Sequence, residues 1–422
     1  VIEAPTTFKF KEENNIQFKE NDNRETSMYG PTNDVAFLLG AGASIPSGYP
    51  STDELTENIL SGKGFYRHTD SCYYQDDKII NYTEDVYVSA NVRVLNELKK
   101  LADDSLKYSR GTESNYEDLL YLLKQISDHY LGEIENPAID LFIKQIEPII
   151  DSCMDEIDNN RISRREKMVA ETEHYIRDAV ASLLKKKPKK IEHLKNVFDP
   201  YLSRSQRCFV ATLNHDTHLE TYLRQSASFL ADGFGCETNG VRYYLRSPNP
   251  IDDFGIQIFK LHGSVDWYTF CPDNGTPYEN RVGISVNGDQ YHTKDSCGRR
   301  QWPDSGRPIV IMGTFNKFFD YHSSLFTDLH AAWRLSLERV NRLVIIGYGF
   351  GDKGINSQII EWVFNRRGRR ILLIEPNVSE LKKRARGVIT KNWNNWEEAG
   401  VLQILEKGME SCSSEEILDF SS

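Results

Sequence analysis

The 422-residue sequence predicts an α/β fold, a doubly wound and mostly parallel sheet with a large all-helical insertion. Three observations carry that expectation. From about residue 205 onward, short apolar runs ending in small or polar residues alternate with helical patterns. Such alternation builds parallel strands whose crossover helices cover both faces of the sheet. A run of the same kind, "VAFLLGAGAS", stands alone near the N-terminus, and residues 86–202 between them carry apolar spacings of three and four with almost no strand signal.

Taken in order, residues 1–33 are polar and lack a period, so they read as an N-terminal arm. Residues 34–85 and 203–408 make the sheet domain. "VAFLLGAGAS" is a buried strand entering a Gly-rich turn, and Ser51 with Glu54 has capping-box spacing, so a helix begins there. Residues 86–202 form the helical insertion, with helices expected at "VRVLNELKKLADD", "YEDLLYLLKQISDHYL", "AIDLFIKQIEPIIDSCMDEI" and "EKMVAETEHYIRDAVASLLKK". The run Lys185–Lys190 closes the last of these as a solvated helix end, with a phosphate-backbone contact as the alternative. "RCFVATLNHD", "GIQIFKLHGSVDW", "RPIVIMGT", "RLVIIGYGFGD" and "RRILLIEPN" read as strands, and the polar stretch 271–307 as hairpins and loops. "VLQILEK" is a last strand, followed by an acidic C-terminal tail, 409–422.

Composition bounds the function. Hydrophobic residues make up 39% and charged residues 27%, the values of an ordinary globular chain. No window approaches the roughly 20 apolar residues of a membrane helix, and "VIEAPTTFKFKEENN" lacks the apolar core of a signal peptide. A cytoplasmic protein without membrane contact is expected. A net charge of −11 argues against direct nucleic-acid binding by this chain alone, because such binding needs a basic surface that releases counterions. The seven cysteines form no C-x-x-C pair, so neither zinc nor a disulfide framework is expected. His215 and His218, three apart, would need a third ligand to hold a metal, and no metal site is expected.

Ligands of open parallel sheets bind beyond the carboxyl ends of the strands. Four motifs fall there: "GAGAS", "TLNHD", "KLHGS" and "GYGFGD". That is Rossmann-like logic, although the dinucleotide fingerprint G-x-G-x-x-G fails because residue 45 is isoleucine. Gly40 and Gly42 permit either a plain tight turn or close approach to a pyrophosphate. Asn214 suits a ribose hydroxyl, a water or a turn cap. His262 has the side chain best tuned for proton transfer near neutrality; Gly263 leaves it uncrowded and Ser264 offers a hydrogen bond. Gly347, Gly349 and Gly351 allow close approach, Tyr348 and Phe350 suit an adenine or ribose border, and Glu375 with Asn377 suits ribose hydroxyls.

Together the four motifs, with the following "SGYP", resemble the sirtuin signatures in order: a Gly-Ala-Gly loop with Gly-x-Pro, a strand ending Asn-x-Asp, a His-Gly pair and an adenosine loop. The resemblance covers about 34–60 and 205–380. It implies NAD as the bound molecule, with Asn214 orienting ribose and water, His262 as base and Asp216 holding the loop or the nicotinamide end. It also implies Gly40, Ala41, Gly42, Ser44, Pro50 and Gly263 around the phosphates and ribose, and Gly347, Tyr348, Gly349, Glu375 and Asn377 around the adenosine half.

Departures narrow the resemblance. The four-cysteine zinc module of sirtuin deacylases is missing, and Ser51, Thr52 and Asp53 follow Pro50 where deacylases continue differently. The large helical insertion is similar to that of bacterial sirtuin-like NADases of antiphage defence. That likeness implies NAD as substrate, cleaved to nicotinamide and ADP-ribose, in a homo-oligomeric effector beside a partner such as a HerA-type ATPase. The leucines and aromatics of "YEDLLYLLKQISDHYL" suit self-association. A deacylase, an ADP-ribosyltransferase and a non-catalytic NAD or ADP-ribose sensor stay open as alternatives.

Overall fold

The computed structural model describes residues 34–75, 82–83, 86–109, 113–133, 136–157, 164–202, 207–226, 230–245, 255–313 and 324–421. The arm expected over 1–33 lies outside them. Strands run in chain order as β1 (Val35–Leu39), β2 (Tyr66–His68), β3 (Tyr73–Tyr74), β4 (Tyr82–Thr83), β5 (Cys208–Thr212), β6 (Leu230–Ala231), β7 (Phe234–Thr238), β8 (Val241–Tyr244) and β9 (Ile256–Lys260). They continue as β10 (Trp267–Pro272), β11 (Arg281–Ser285), β12 (Thr293–Lys294), β13 (Arg300–Pro303), β14 (Arg342–Ile346), β15 (Arg370–Ile374) and β16 (Leu402–Leu405).

The main sheet has the order β16-β15-β14-β1-β5-β9-β6, and every pairing in it is parallel. It is the doubly wound α/β architecture. From β1 the chain winds outward through β5 and β9, then returns to β14 on the other side of β1 and winds the opposite way. The order reverses between β1 and β14, and the crevice above such a reversal is where open α/β sheets bind ligands.

Alternation along each strand sorts the side chains into two cores. Ala36 and Leu38 of β1, with Phe209, Phe259, Leu343 and Ile345, face α8 (Ser324–Glu338), α9 (Lys353–Asn365), α10 (Val378–Arg384) and α11 (Val388–Glu398), which bury Trp333, Trp362 and Trp393. Val35, Phe37 and Leu39, with Val210, Ile258 and Val344, face α6 (His193–Leu202), α7 (His218–Ser226) and α12 (Ser414–Ser421).

The helical block contains α2 (Val86–Ser109), α3 (Tyr116–Leu131), α4 (Asp140–Glu156) and α5 (Arg165–Leu184), following α1 (Thr52–Ser61). Each of the four expected helical segments falls on one of α2 to α5. The block has its own apolar core, which also takes in Val265, Val310 and Met312. Leu119, Leu120, Leu123 and Ile126 of α3 are buried inside that core. Of the leucines that suited self-association, Leu119, Leu120 and Leu123 are spent inside the block, Leu122 is partly buried and Leu131 is 56% exposed.

The hairpins expected over 271–307 are present and join a six-stranded antiparallel sheet over 234–303, β12-β13-β10-β11-β8-β7. Three local readings need correction. "RPIVIMGT" is not a strand; Val310 makes one isolated bridge to Gly263, and the run is pinned to the His262–Trp267 segment instead of a sheet edge. The last helix of the 86–202 stretch, α6, packs on the main sheet through Leu194, Val197 and Phe198. The acidic tail 409–422 carries α12, whose Ile417 and Phe420 are buried against the same face. Its acids lie on the solvent side of an amphipathic helix, which made the segment look like a tail.

Candidate active site

Each of the four motifs sits at the carboxyl end of a strand of the main sheet, around the reversal. "GAGAS" follows β1, "TLNHD" ends β5, "KLHGS" ends β9 and "GYGFGD" follows β14. Short backbone bonds lock these loops together. Gly40 N–H donates to Ile346 O at 2.9 Å, Gly42 N–H to Gly347 O at 3.0 Å, Leu213 N–H to Leu39 O at 2.9 Å and Val265 N–H to His215 O at 2.9 Å.

The glycines serve this interlock. A Cβ on Gly40 would lie 2.5 Å from Gly347 O, and one on Gly42 would lie 2.7 Å from Gly347 Cα. Gly347 itself has φ +61°. The facing loop fills the side-chain positions of these two glycines, while Gly40 still lines a smaller cavity and Gly42 a larger cleft. Gly349 differs: it is exposed, and nothing lies within 4 Å of where its Cβ would be. Ala41 and Ser44 remain for a ligand, since both line the cavity that opens beside the ridge.

That cavity holds about 320 Å³. Gly40, Ala41, Ser44, Pro50, Asn214, Asp216, His262, Gly347, Tyr348 and Gly349 line it. Helix α3 closes one side through Asn115–Asp118, so the helical block contributes a wall of the site. A second cleft, of about 820 Å³, lies across the ridge and shares Gly347; Gly42, Lys190, His193, Lys195 and Glu375 line it. Gly263 lines neither. Its position next to His262 is filled by the Ile309 carbonyl oxygen, 2.1 Å from where a Cβ would stand. The expected empty space beside the imidazole is a backbone contact, and Ser264 Oγ donates to His215 O at 3.3 Å. Asn377 also lines neither cleft; its exposed side chain caps α10 by accepting from Glu380 N–H at 3.3 Å. Tyr348 and Phe350 are buried with ring centroids 5.0 Å apart, and Tyr348 Oη donates to Asn356 Oδ1 at 2.9 Å. Both rings pack in the core; Tyr348 also lines the smaller cavity, whereas Phe350 lines neither cleft.

The polar chain is tightly built. Asn214 Nδ2 donates to Gly40 O and to Ser44 Oγ, each at 2.8 Å. Ser44 Oγ donates to Asp216 Oδ2 at 2.7 Å. The other oxygen of Asp216 takes the Nδ1 of His218, and Lys260 Nζ donates to the Asp216 carbonyl at 2.5 Å. Burial acts to raise the Asp216 carboxyl, but His218, Lys260 and Ser44 outweigh it and hold it well below the usual carboxylate range. Glu220 pairs with Lys260 at 2.7 Å, which satisfies the buried ammonium.

On the facing side, His262 Nε2 lies 3.3 Å from Asp352 Oδ2, and both side chains are buried. Asp352 also caps α9, accepting from Gly354 N–H at 2.8 Å and Ile355 N–H at 3.1 Å. A carboxylate fixed by a helix N-terminus orients the imidazole. Behind them, burial first and then His262 push His330 down to about 4, so it is neutral at neutral pH. Asp352 was quoted within "GYGFGD" but given no role; its signal was a helix-capping Asp following a strand-end glycine loop. His218, Lys260, Asn115–Asp118 and Arg386, which also lines the cavity, had no comparable signal.

Among the described residues, no three His, Cys, Asp or Glu side chains are grouped to hold a metal ion. The side chain of His218 is engaged with Asp216, and the ring of His215 lies 6.4 Å from that of His262.

Fold and site together define a doubly wound α/β protein with its polar residues gathered at the sheet's reversal point. Comparison with solved structures aligns the chain with Sir2 structures at low identity. The chain aligns with Sir2Tm bound to a propionylated peptide at 12% identity, over 87% of this chain and 93% of that one, with a TM-score of 0.28. It aligns with Sir2 bound to acetylated peptide at 10% identity, over 91% and 92%, with a TM-score of 0.31. A Sir2 homolog–NAD complex aligns at 13% identity, over 87% and 90%, with a TM-score of 0.28. No family model matches the sequence, and no curated protein matches it. The fold is accordingly stated on strand order and register.

Proposed function

We propose that this chain is an NAD+ glycohydrolase that releases nicotinamide and ADP-ribose. The observation that carries the reading is the convergence of Ser44, Asn214, Asp216 and His262, from three separate strand ends, on one cavity at the sheet's reversal point. The reading agrees with the sirtuin-like order of the motifs. The reactive ribose and nicotinamide occupy the smaller cavity, the pyrophosphate crosses Ala41 and Ser44, and the adenosine half enters the larger cleft beside Glu375.

Nicotinamide leaves NAD+ as a neutral base, so its departure needs no general acid. The protein must stabilise an oxocarbenium-like ribose and direct water to it. Asn214, held by Gly40 O and Ser44, orients the ribose and the attacking water. His262, held by Asp352, takes a proton from that water or from a ribose hydroxyl. Asp216 holds the loop. The bond broken is the glycosidic C–N bond, the bond formed is C–O, and the water proton goes to the imidazole.

In this reading the chain is a homo-oligomeric effector of antiphage defence, silent until a partner such as a HerA-type ATPase engages it. The deciding experiment incubates the purified chain with NAD+, alone and with candidate partner or cell extract, and separates the products. Equal nicotinamide and free ADP-ribose, lost by about 100- to 10,000-fold in His262→Ala and in Asn214→Ala, support the reading. Acceleration by acetylated peptide would favour a deacylase. ADP-ribose left on protein would favour a transferase, and intact NAD+ under every condition a binding module.

A further inference from the structure

We infer that His218 is a positioning residue for this reaction, acting through Asp216 and Ser44 on Asn214. The inference rests on the proposed NAD+ cleavage. The His218 side chain is only 1% exposed and lines neither cleft, so it does not touch the substrate. Its ring packs near Tyr49, at a centroid distance of 5.9 Å and tilted, and stacks with His193 at 6.4 Å, with Nδ1 on Asp216.

The direction of the hydrogen-bond chain gives His218 its role. A serine hydroxyl carries one proton. Ser44 spends that proton on Asp216 Oδ2, which leaves its lone pairs to accept from Asn214 Nδ2. This order holds only while Asp216 is an acceptor at both oxygens. A protonated Asp216 would donate to Ser44, and the Ser44 hydroxyl would turn into competition with the Asn214 amide. His218, with Nδ1 on Asp216 Oδ1, leads the groups that oppose burial and hold the Asp216 carboxyl low. The other charged and titratable groups facing this pair are Lys260 from β9, Glu220 from α7, Tyr49 from the loop after β1 and His193 from α6. Lys260 donates to the Asp216 backbone carbonyl and pairs with Glu220, whereas His218 Nδ1 sits on the Asp216 carboxylate and lies 3.3 Å from Ser44 Oγ, so it meets both members of the chain.

The test uses the full chain with His218→Leu and His218→Gln, following nicotinamide release from acid to mildly alkaline pH. His218→Leu is expected to lower kcat by about 100-fold with KM within about twofold, because misplacing an orienting group costs that much. Loss of the His218 contact lets the Asp216 carboxylate take a proton more readily, so the loss relative to the wild type grows toward acid pH, on top of the acid limb that the base His262 sets in both proteins. His218→Gln, which still donates a hydrogen bond, is expected to restore most of kcat at alkaline pH while keeping a larger loss relative to the wild type at acid pH. A folded variant whose pH profile superimposes on the wild type overturns the inference. So does a loss that is equal at every pH and not restored by glutamine. If the leucine variant does not fold, the ratio of His218→Gln to wild-type kcat at acid against alkaline pH decides alone. If the wild type leaves NAD+ intact, the proposed reaction falls. The inference is then read from ADP-ribose affinity by calorimetry: selective weakening of His218→Gln at acid pH supports it, and an unchanged profile overturns it.

Discussion

Gly263 carries a constraint that its place in "KLHGS" did not reveal. Its φ is +78°, and the Ile309 carbonyl oxygen occupies the place of a side chain. Gly263→Ala therefore meets both a left-handed backbone and a backbone clash. It should destabilise the chain by at least about 2 kcal/mol, read as a lower urea midpoint. A midpoint equal to wild type would show that the 309–311 segment yields freely. The same residue-scale logic explains what was legible. Asn214, Asp216, His262 and Ser44 were readable because chemistry-bearing side chains stood next to apolar runs. The His262–Asp352 pair was not, because its partners are 90 positions apart and meet only when β9 and β14 lie in one sheet.

Among the elements, those with local signals were legible. Ser51 and Glu54 form the capping box their spacing implied: Glu54 N–H donates to Ser51 Oγ at 3.2 Å, and Ser51 N–H to Glu54 Oε2 at 2.7 Å. The helices of the block followed from apolar periodicity. The antiparallel sheet over 234–303 was hidden because its strands are short and polar, and long-range pairing rather than intrinsic propensity forms them. Helix α12 was hidden for a related reason: it contributes few apolar residues, and only contact with β-sheet core and α6 makes them decisive. Ile417 is fully buried there, so Ile417→Ala should cost about 2–5 kcal/mol and open the C-terminus to limited proteolysis. Unchanged protection would mean that α12 does not contribute to the core.

At the scale of the whole molecule, one buried ion pair ties the helical block to the rest. Arg307 donates to both oxygens of Asp178 on α5 at 2.9 Å and, at 2.7 Å, to Ser71 O in the β2–β3 turn. Burial, opposed by Arg307, pushes the Asp178 carboxyl up to about 6. Since this folded value lies above the ordinary 3.8, the group favours folding at low pH, and that contribution is lost as pH rises through about 6. Arg307→Met removes the compensating charge. It should cost about 3–5 kcal/mol near pH 8, where Asp178 must stay ionised and unpaired. The cost should be smaller near pH 5, where the carboxyl takes a proton. Urea midpoints at the two pH values measure this; an equal loss at both would show that the pair acts through packing alone.

The sequence by itself determined the fold class, the helical character of 86–202 and four loci of the site, because burial periodicity and strand-end glycines are properties of neighbouring residues. It also carried the sirtuin-like order from which NAD+ was inferred. Tertiary structure alone decided that Gly40, Gly42 and Gly347 interlock with one another and that Asn377 and Tyr348 are structurally committed. It also brought Asp352 to His262 and His218 to Asp216. Those outcomes depend on which strand lies beside which, and strand order joins residues far apart in the chain that no local pattern relates.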